Sequence, residues 1–244
     1  MVKKFENKWV IITGGSSGIG LATVTKLANL GAKIISIQSN KNPKNLINKK
    51  NVFSIDFDLK DIENINNLFL KIKKISKKID FIIFNATIDS GSSVENLELD
   101  EMKKVFSANV FFPTIFMKKF IPLLNRNSAV IFISSGAPRL LLKNKSVYSM
   151  TEGCVETLAK VLAKEIAPKT RVNIVAPGPT KTKRLLCGSK ESNKELIKSL
   201  EKLMPLNRIN KSEDIANTII FLISNESRNI TGQTIQVNCG GIIL

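Results

Sequence analysis

Two separated stretches of the 244-residue chain carry residue types and spacings suited to chemistry. The first is Thr13-Gly14-Gly15-Ser16-Ser17-Gly18-Ile19-Gly20, which follows the apolar run Trp9-Val10-Ile11-Ile12 and leads straight into a helical pattern. Glycines there permit a tight turn and close backbone approach, and the helix start behind them offers unpaired N–H groups and a positive dipole end to a pyrophosphate. The spacing is G-x-x-x-G-x-G rather than the commoner G-x-G-x-x-G, and a glycine-rich segment also reads as a plain turn. The second stretch centres on Tyr148, the only tyrosine of the chain. No histidine is present, which excludes imidazole acid–base chemistry, histidine metal ligation and a Ser-His-Asp triad. A proton must then be handled by another group, and a phenol with a pKa of about 10 serves if its surroundings tune it. Cys154, Cys187 and Cys239 form no C-x-x-C pair, so no metal centre and no disulfide framework is expected, and a reduced, cytoplasmic chain fits.

The elements between must bring these stretches together. Short β-branched runs alternate with longer helical patterns, the rhythm of a parallel sheet with crossover helices. Strands are predicted at Trp9–Thr13, Lys33–Gln38, Asn51–Ile55, Asp80–Asn85, Ala129–Ser134, Arg171–Val175 and Thr234–Asn238. Helices are predicted near Gly18–Leu30, Asp61–Lys78, Asp100–Leu124, Ser146–Ile166, Glu191–Leu203 and Ser212–Ile223, the last with Ser212 as N-cap ahead of Glu213 and Asp214. In Asp61–Lys78, Ile62, Ile65, Leu68, Ile72, Ile75 and Ile79 form one stripe, leaving Lys71, Lys74 and Lys78 on a solvated face. No linker divides the chain, so residues 1–244 are expected to form a single doubly wound α/β domain of Rossmann type. A seven-stranded parallel sheet would carry helices on both faces. No run of about 18 apolar residues suggests a membrane span, and no signal peptide is read at the N-terminus.

Thr13-Gly-x-x-x-Gly-Ile-Gly20 resembles the cofactor loop of the short-chain dehydrogenase/reductase family, and further matches run nearly end to end. They are Asp58-Leu59, Asn85-Ala86, Asn109, Ser134-Ser135, Tyr148-Ser149-Met150-Thr151, Arg171 to Thr182 with its Pro177-Gly178 turn, and Asn238-Cys239-Gly240-Gly241. Within the family the chain is similar to 3-oxoacyl-carrier-protein-reductase-like members. The resemblance implies hydride transfer between a nicotinamide cofactor and a small carbonyl or alcohol. Tyr148 would act as acid and base, Ser135 would orient the substrate oxygen, and Asn109 would support a proton-relay water. It places the cofactor on Gly14, Ser16, Ser17, Gly18, Ile19, Gly20, Gln38, Ser39, Asn40, Asp58, Leu59, Asn85, Ala86, Thr87, Tyr148, Pro177, Gly178, Thr180 and Thr182. An acidic residue about 20 positions past the loop would hold ribose hydroxyls and repel a 2′-phosphate, but the second strand ends Ile37-Gln38-Ser39-Asn40-Lys41. That favours NADP(H) over NAD(H). The alternative is a polar strand end that discriminates little.

Two positions depart from the family pattern. Glu152 stands where the family has a lysine, four residues after Tyr148 and so on the same helix face. A carboxylate there would raise the tyrosine pKa by like-charge repulsion, though it could accept hydrogen bonds from ribose hydroxyls. Thr87 replaces a glycine beside the cofactor. A catalytically impaired cofactor-binding homologue, a sensor or assembly subunit, is therefore the alternative to an enzyme, unless Lys145, Lys181 or Lys183 supplies a cation from a loop. Residues 183–205 correspond to the family's substrate lid, whose lysines suit either an anionic substrate or a solvated helix face. The resemblance implies a homo-tetramer or dimer, for which Val147, Val155, Leu158 and Leu162 supply apolar positions that would equally serve the chain's own core. The net charge of +17 is mostly lysine, spread along the chain without aromatic platforms, so nucleic acid is not an expected partner.

Overall fold

Residues two apart along a strand face the same way, so a strand that is apolar throughout needs cover on both sides. In the computed structural model, which describes residues 4–39 and 50–243, the strands meet this need in one seven-stranded sheet whose pairings are all parallel. They are β1 (Trp9–Thr13), β2 (Lys33–Gln38), β3 (Val52–Asp56), β4 (Ile79–Phe84), β5 (Leu124–Ile133), β6 (Thr170–Pro177) and β7 (Thr234–Val237), in the order β3-β2-β1-β4-β5-β6-β7. The order reverses between β1 and β4. The crevice beyond the carboxyl ends of those strands is the usual ligand site of an open α/β sheet.

One face, with Ile11, Ile35, Ile82, Val130 and Ile174, packs against α2 (Ile65–Ile75), α4 (Phe112–Phe120) and α6 (Ser146–Glu165). The other, with Val10, Ile12, Ile34, Ile131 and Val175, packs against α1 (Gly18–Asn29) and α8 (Ser212–Ile223). Four phenylalanines join β4 and β5 to α4. Phe84 stacks on Phe132 at 4.8 Å and meets Phe116 edge-on at 5.6 Å, and Phe116 stacks on Phe120 at 4.0 Å between ring centroids. The remaining helices are α3 (Leu99–Phe106), the short α5 (Ala137–Leu140) and α7 (Lys190–Leu203).

The expected helix Asp100–Leu124 is interrupted. A π turn, Ser107–Phe111, separates α3 from α4, and a 3-10 turn, Ile121–Leu123, follows. Pro113 has no N–H to give the Asn109 carbonyl four residues back, and the Phe112 N–H bonds Ser107, five residues back. The helix expected at Asp61–Lys78 is trimmed to Ile65–Ile75, because the Asp61 carboxylate accepts from the Asn64 backbone and side chain and closes a separate turn. Lys71, Lys74 and Lys78 are exposed, as a solvated face requires. The N-cap of α8 is Lys211 rather than Ser212, with its backbone N–H on Asp214 Oδ2 at 2.7 Å. β3 and β4 are offset by one residue from their expected spans. β5 starts at Leu124 rather than Ala129, where Leu124 pairs with Ile79 across a shift in register, and β6 runs on to Pro177.

Replacing Phe116 by alanine removes the hub of the aromatic cluster and is expected to cost about 3–5 kcal/mol. Val94→Ala, at a residue 73% exposed, should stay within roughly 0.5 kcal/mol of wild type. Urea unfolding midpoints of the two variants check the contrast.

Candidate active site

At the switch point the end of β1 is fastened to the end of β4. The backbone N–H groups of Asn85 and Ala86 both donate to Thr13 Oγ1 at 3.0 Å, and Asn85 Nδ2 donates to the Thr13 and Gly14 carbonyls at 3.0 and 3.2 Å. Gly14 turns the chain with φ 70°. A side chain at Gly20 would collide with the Gly14 carbonyl and come within 2.7 Å of Asn85 Nδ2, so the loop, α1 and β4 can close up only around glycine. Ser17 is the N-cap of α1 but makes no side-chain cap there. The first-turn N–H groups have no intrahelical partner and take no cap from Ser17, an arrangement that suits an anion.

Three adjoining hollows follow the carboxyl edge of the sheet. One of about 210 Å³ is lined by Gly14, Ser16, Gln38, Ser39, Asp58, Leu59, Ala86 and Thr87. A second, of about 270 Å³, lies over the helix start, with Ser17, Gly18, Ile19, Asn85 and Thr182. The largest, about 520 Å³, holds Tyr148 together with Pro177, Gly178, Thr180, Thr182 and a mainly apolar wall. The residues expected to bind cofactor thus form one continuous track, apart from Gly20, which is buried in the loop packing, and Asn40, which with Lys41 lies outside the described residues. Gln38 is buried, its Oε1 accepting from Ser36 Oγ at 2.6 Å and its Nε2 left without a partner. An orphaned donor at the end of β2, glycine packing at the loop and an uncapped helix start fit a dinucleotide.

The residues expected to handle the proton converge on the first turns of α6. The Tyr148 hydroxyl lies beside Ser135, whose Oγ also accepts from the Ala137 N–H at 3.1 Å. Asn109 is buried with its amide fully engaged, accepting from the Ile88 N–H and donating to the Ile88 carbonyl and to Thr151 Oγ1. Its side chain locks the loop after β4 onto α6, while the missing Pro113 N–H relieves its carbonyl of the usual helical partner.

Glu152 is 1% exposed and does not line the large hollow. Its carboxyl sits behind the tyrosine beside Ser134, with Oε2 unpaired. Burial pushes it up to about 8, against the downward pull of the Ser134 and Tyr148 hydroxyls and of Arg184. Glu156, one turn further on, is held below the usual carboxylate range despite partial burial, because the Arg139 guanidinium clamps it at 2.8 and 2.5 Å and Ser134 donates at 2.9 Å. The Tyr148 phenol is raised above 10, first by burial and then by Glu152. The direction matches the like-charge expectation, but burial is the leading cause, and at pH 7 the neighbour is a neutral carboxylic acid.

The three lysines considered as replacement cations are engaged elsewhere or stand apart. Lys145 pairs with Asp89 at 2.6 Å, Lys181 pairs with Glu201 at 3.2 Å, and Lys183 lines the hollow over the helix start. The cation over the Tyr148 ring is Arg184, which no spacing in the sequence singles out. Thr13 opens the glycine loop, but its role as the acceptor that ties β4 to β1 comes only from the tertiary structure. Val147, Val155 and Leu162 are buried, so the apolar stripe of α6 serves the core, while Met150 and Val161 remain exposed.

A parallel sheet of this order, with a glycine loop at its switch point and a tyrosine–serine pair in the adjoining cavity, defines a Rossmann-type α/β protein. The family model described as enoyl-(acyl carrier protein) reductase matches residues 14–241. A 3-oxoacyl-[acyl-carrier-protein] reductase of Buchnera aphidicola is 32% identical over 97% of this chain and 98% of its own length. Aldohexose dehydrogenase of Thermoplasma acidophilum superposes with a TM-score of 0.89 at 26% identity, covering 99% of this chain and 96% of that one. 4-Hydroxyisoleucine dehydrogenase complexed with NADH does so with a TM-score of 0.88 at 26% identity, covering 96% and 98%. The chain belongs to the short-chain dehydrogenase/reductase family of oxidoreductases.

A carboxyl whose folded pKa is raised binds its proton more tightly in the folded state than in the unfolded one, so folding loses stability as pH rises from the unfolded value toward the folded one. For Glu152 that window is 4.5 to about 8. The slope from this group approaches about 1.4 kcal/mol per pH unit. Glu152→Gln should abolish that contribution and gain on wild type between pH 5 and pH 8. Denaturant titrations of both proteins across this range test it, and parallel curves would show Glu152 to be ionised when folded.

Proposed function

We propose that the chain is an NAD(P)(H)-dependent oxidoreductase that interconverts a carbonyl and an alcohol. The observation that carries this reading is the Tyr148–Ser135 pair beside a cavity that opens onto the glycine-loop track. In it, Gly14, the start of α1 and Thr182 flank the pyrophosphate, and Gln38, Asp58 and Leu59 flank the adenosine end. A bound nicotinamide supplies or takes up the hydride. Ser135 holds the substrate oxygen. Tyr148, protonated at neutral pH, gives its phenolic proton to the developing alkoxide or takes it back in the reverse direction. Asn109 positions the loop and α6 on either side of that exchange.

NADP(H) is the favoured cofactor because Gln38 brings no negative charge to the ribose and leaves an Nε2 donor unpaired for a phosphate oxygen. The cavity wall includes Leu140, Leu142, Leu185, Leu196 and Leu200, which suits a substrate with an apolar body. The lysines of α7 are exposed, favouring the solvated-face reading over an anionic substrate. Residues 183–205 act as the lid of a single catalytic domain. α7 buries none of its residues yet presents Leu196 and Leu200 to the cavity, as a segment that closes on substrate would. Self-association through the exposed Phe111, Met150 and Val161 belongs to the same reading, and light scattering at micromolar concentration would show a dimer or tetramer.

Millimolar NADPH should raise the melting temperature, as a ligand selective for the folded state must. The protein should also oxidise NADPH over a panel of ketones and aldehydes, with Tyr148→Phe losing about 10²- to 10⁴-fold. Stabilisation without turnover on any carbonyl would reduce the chain to a cofactor-binding homologue. Absence of both effects with NADPH and NADH would refute the cofactor assignment.

A further inference from the structure

Arg184 lies in the connection between β6 and α7, yet its contacts are to two distant parts of the site. Its guanidinium carbon stands 5.4 Å from the centroid of the Tyr148 ring. Nη1 donates to Thr87 Oγ1 at 2.9 Å, and Nη2 lies 3.5 Å from Asp89 Oδ2. A planar guanidinium can lie over an aromatic face while its edge donates to oxygen, a combination a point-like ammonium does not match. The two family departures meet here. Thr87, in place of glycine, provides the hydroxyl that holds Arg184, and Glu152, in place of lysine, leaves the tyrosine without a cation on its own helix.

We propose that Arg184 supplies the positive charge of the proton-transfer site, docked over Tyr148 by Thr87 and Asp89 from outside the helix that carries the tyrosine. This rests on the reading of Tyr148 as the proton donor. The charges acting on that phenol come from three elements. Glu152 on α6 and Asp89 after β4 disfavour the phenolate, and Arg184 before α7 favours it. Lys145, at the start of α6, is bonded to Asp89, while Arg139 is spent on Glu156. Arg184 is thus a positioning residue that acts through the tyrosine.

Because Tyr148 is the only tyrosine, biosynthetic incorporation of 3-fluorotyrosine gives a single fluorine resonance. The fluorine acidifies the phenol, and the pH dependence of its shift reports ionisation in the cofactor-free protein without any turnover. In Arg184→Gln the midpoint should rise by about half a pH unit or more, roughly a threefold loss of phenolate at a given pH. Thr87→Gly should move it the same way, Arg184→Lys, which keeps the charge but not the stacked, Thr87-bonded geometry, should restore only part of the change, and Lys183→Gln, which alters net charge equally, should leave it in place. An unmoved midpoint in Arg184→Gln or Thr87→Gly, or an equal rise in Lys183→Gln, overturns the proposal. Failure of the catalytic reading would appear differently, as a wild-type protein without turnover whose fluorine titration still responds to Arg184.

Discussion

On α6, Tyr148 and Glu152 share one face, and the Glu152 carboxyl is almost sealed from water. Two acids so placed cannot both ionise cheaply, and desolvation decides which form each keeps. The carboxyl retains its proton to about pH 8, and the phenol retains its own well beyond neutrality. Around this pair the charges are ordered by depth. Glu156 and Arg139 neutralise each other behind it, while Arg184 stands half exposed on the cavity side. The lysine of the family pattern would have joined cofactor and tyrosine from within the helix. Here the cation over the tyrosine ring is Arg184, from the connection that leads into α7.

The fold makes such an arrangement possible by fixing everything behind it. The reversal of strand order opens a crevice between β1 and β4, and Thr13 and Asn85 hold its two lips together with four hydrogen bonds. Packing of the phenylalanine cluster under β4 and β5 sets the height of α4. The π turn before α4 carries Asn109 to the loop after β4, where its amide holds Ile88 and Thr151 together. Rigid contacts thus define the floor of the site. Its outer wall, α7 and the connection before it, buries little and is the part able to respond to a ligand.

What the sequence discloses and what it conceals follow from the range of the interactions. Strands are legible because alternation and β-branching are local, and all seven lie close to their expected positions. The glycine loop is legible because a positive φ at Gly14 and tight packing at Gly20 admit no other residue comfortably. The break in the long helix is written at Pro113, but its consequence, a π turn rather than a kink or an end, depends on how α3 and α4 pack. The Thr87–Arg184 bond joins residues 97 positions apart. No spacing rule reaches that far, and the lysines nearer in type to the missing residue are paired elsewhere or line a neighbouring hollow. The charge state of Glu152 is equally hidden, since its identity implies a carboxylate and only the tertiary structure supplies the burial that neutralises it.

Tyr148 sits as a neutral phenol in a desolvated setting that its neighbours only partly relieve. Phenolate absorbance of the native protein measures this directly, since no other tyrosine contributes. The expected result is that phenolate stays well below half at pH 10, where a free tyrosine is about half ionised. Glu152→Gln should shift the titration toward lower pH. Half-ionisation of the folded wild-type protein at or below pH 10 would contradict it.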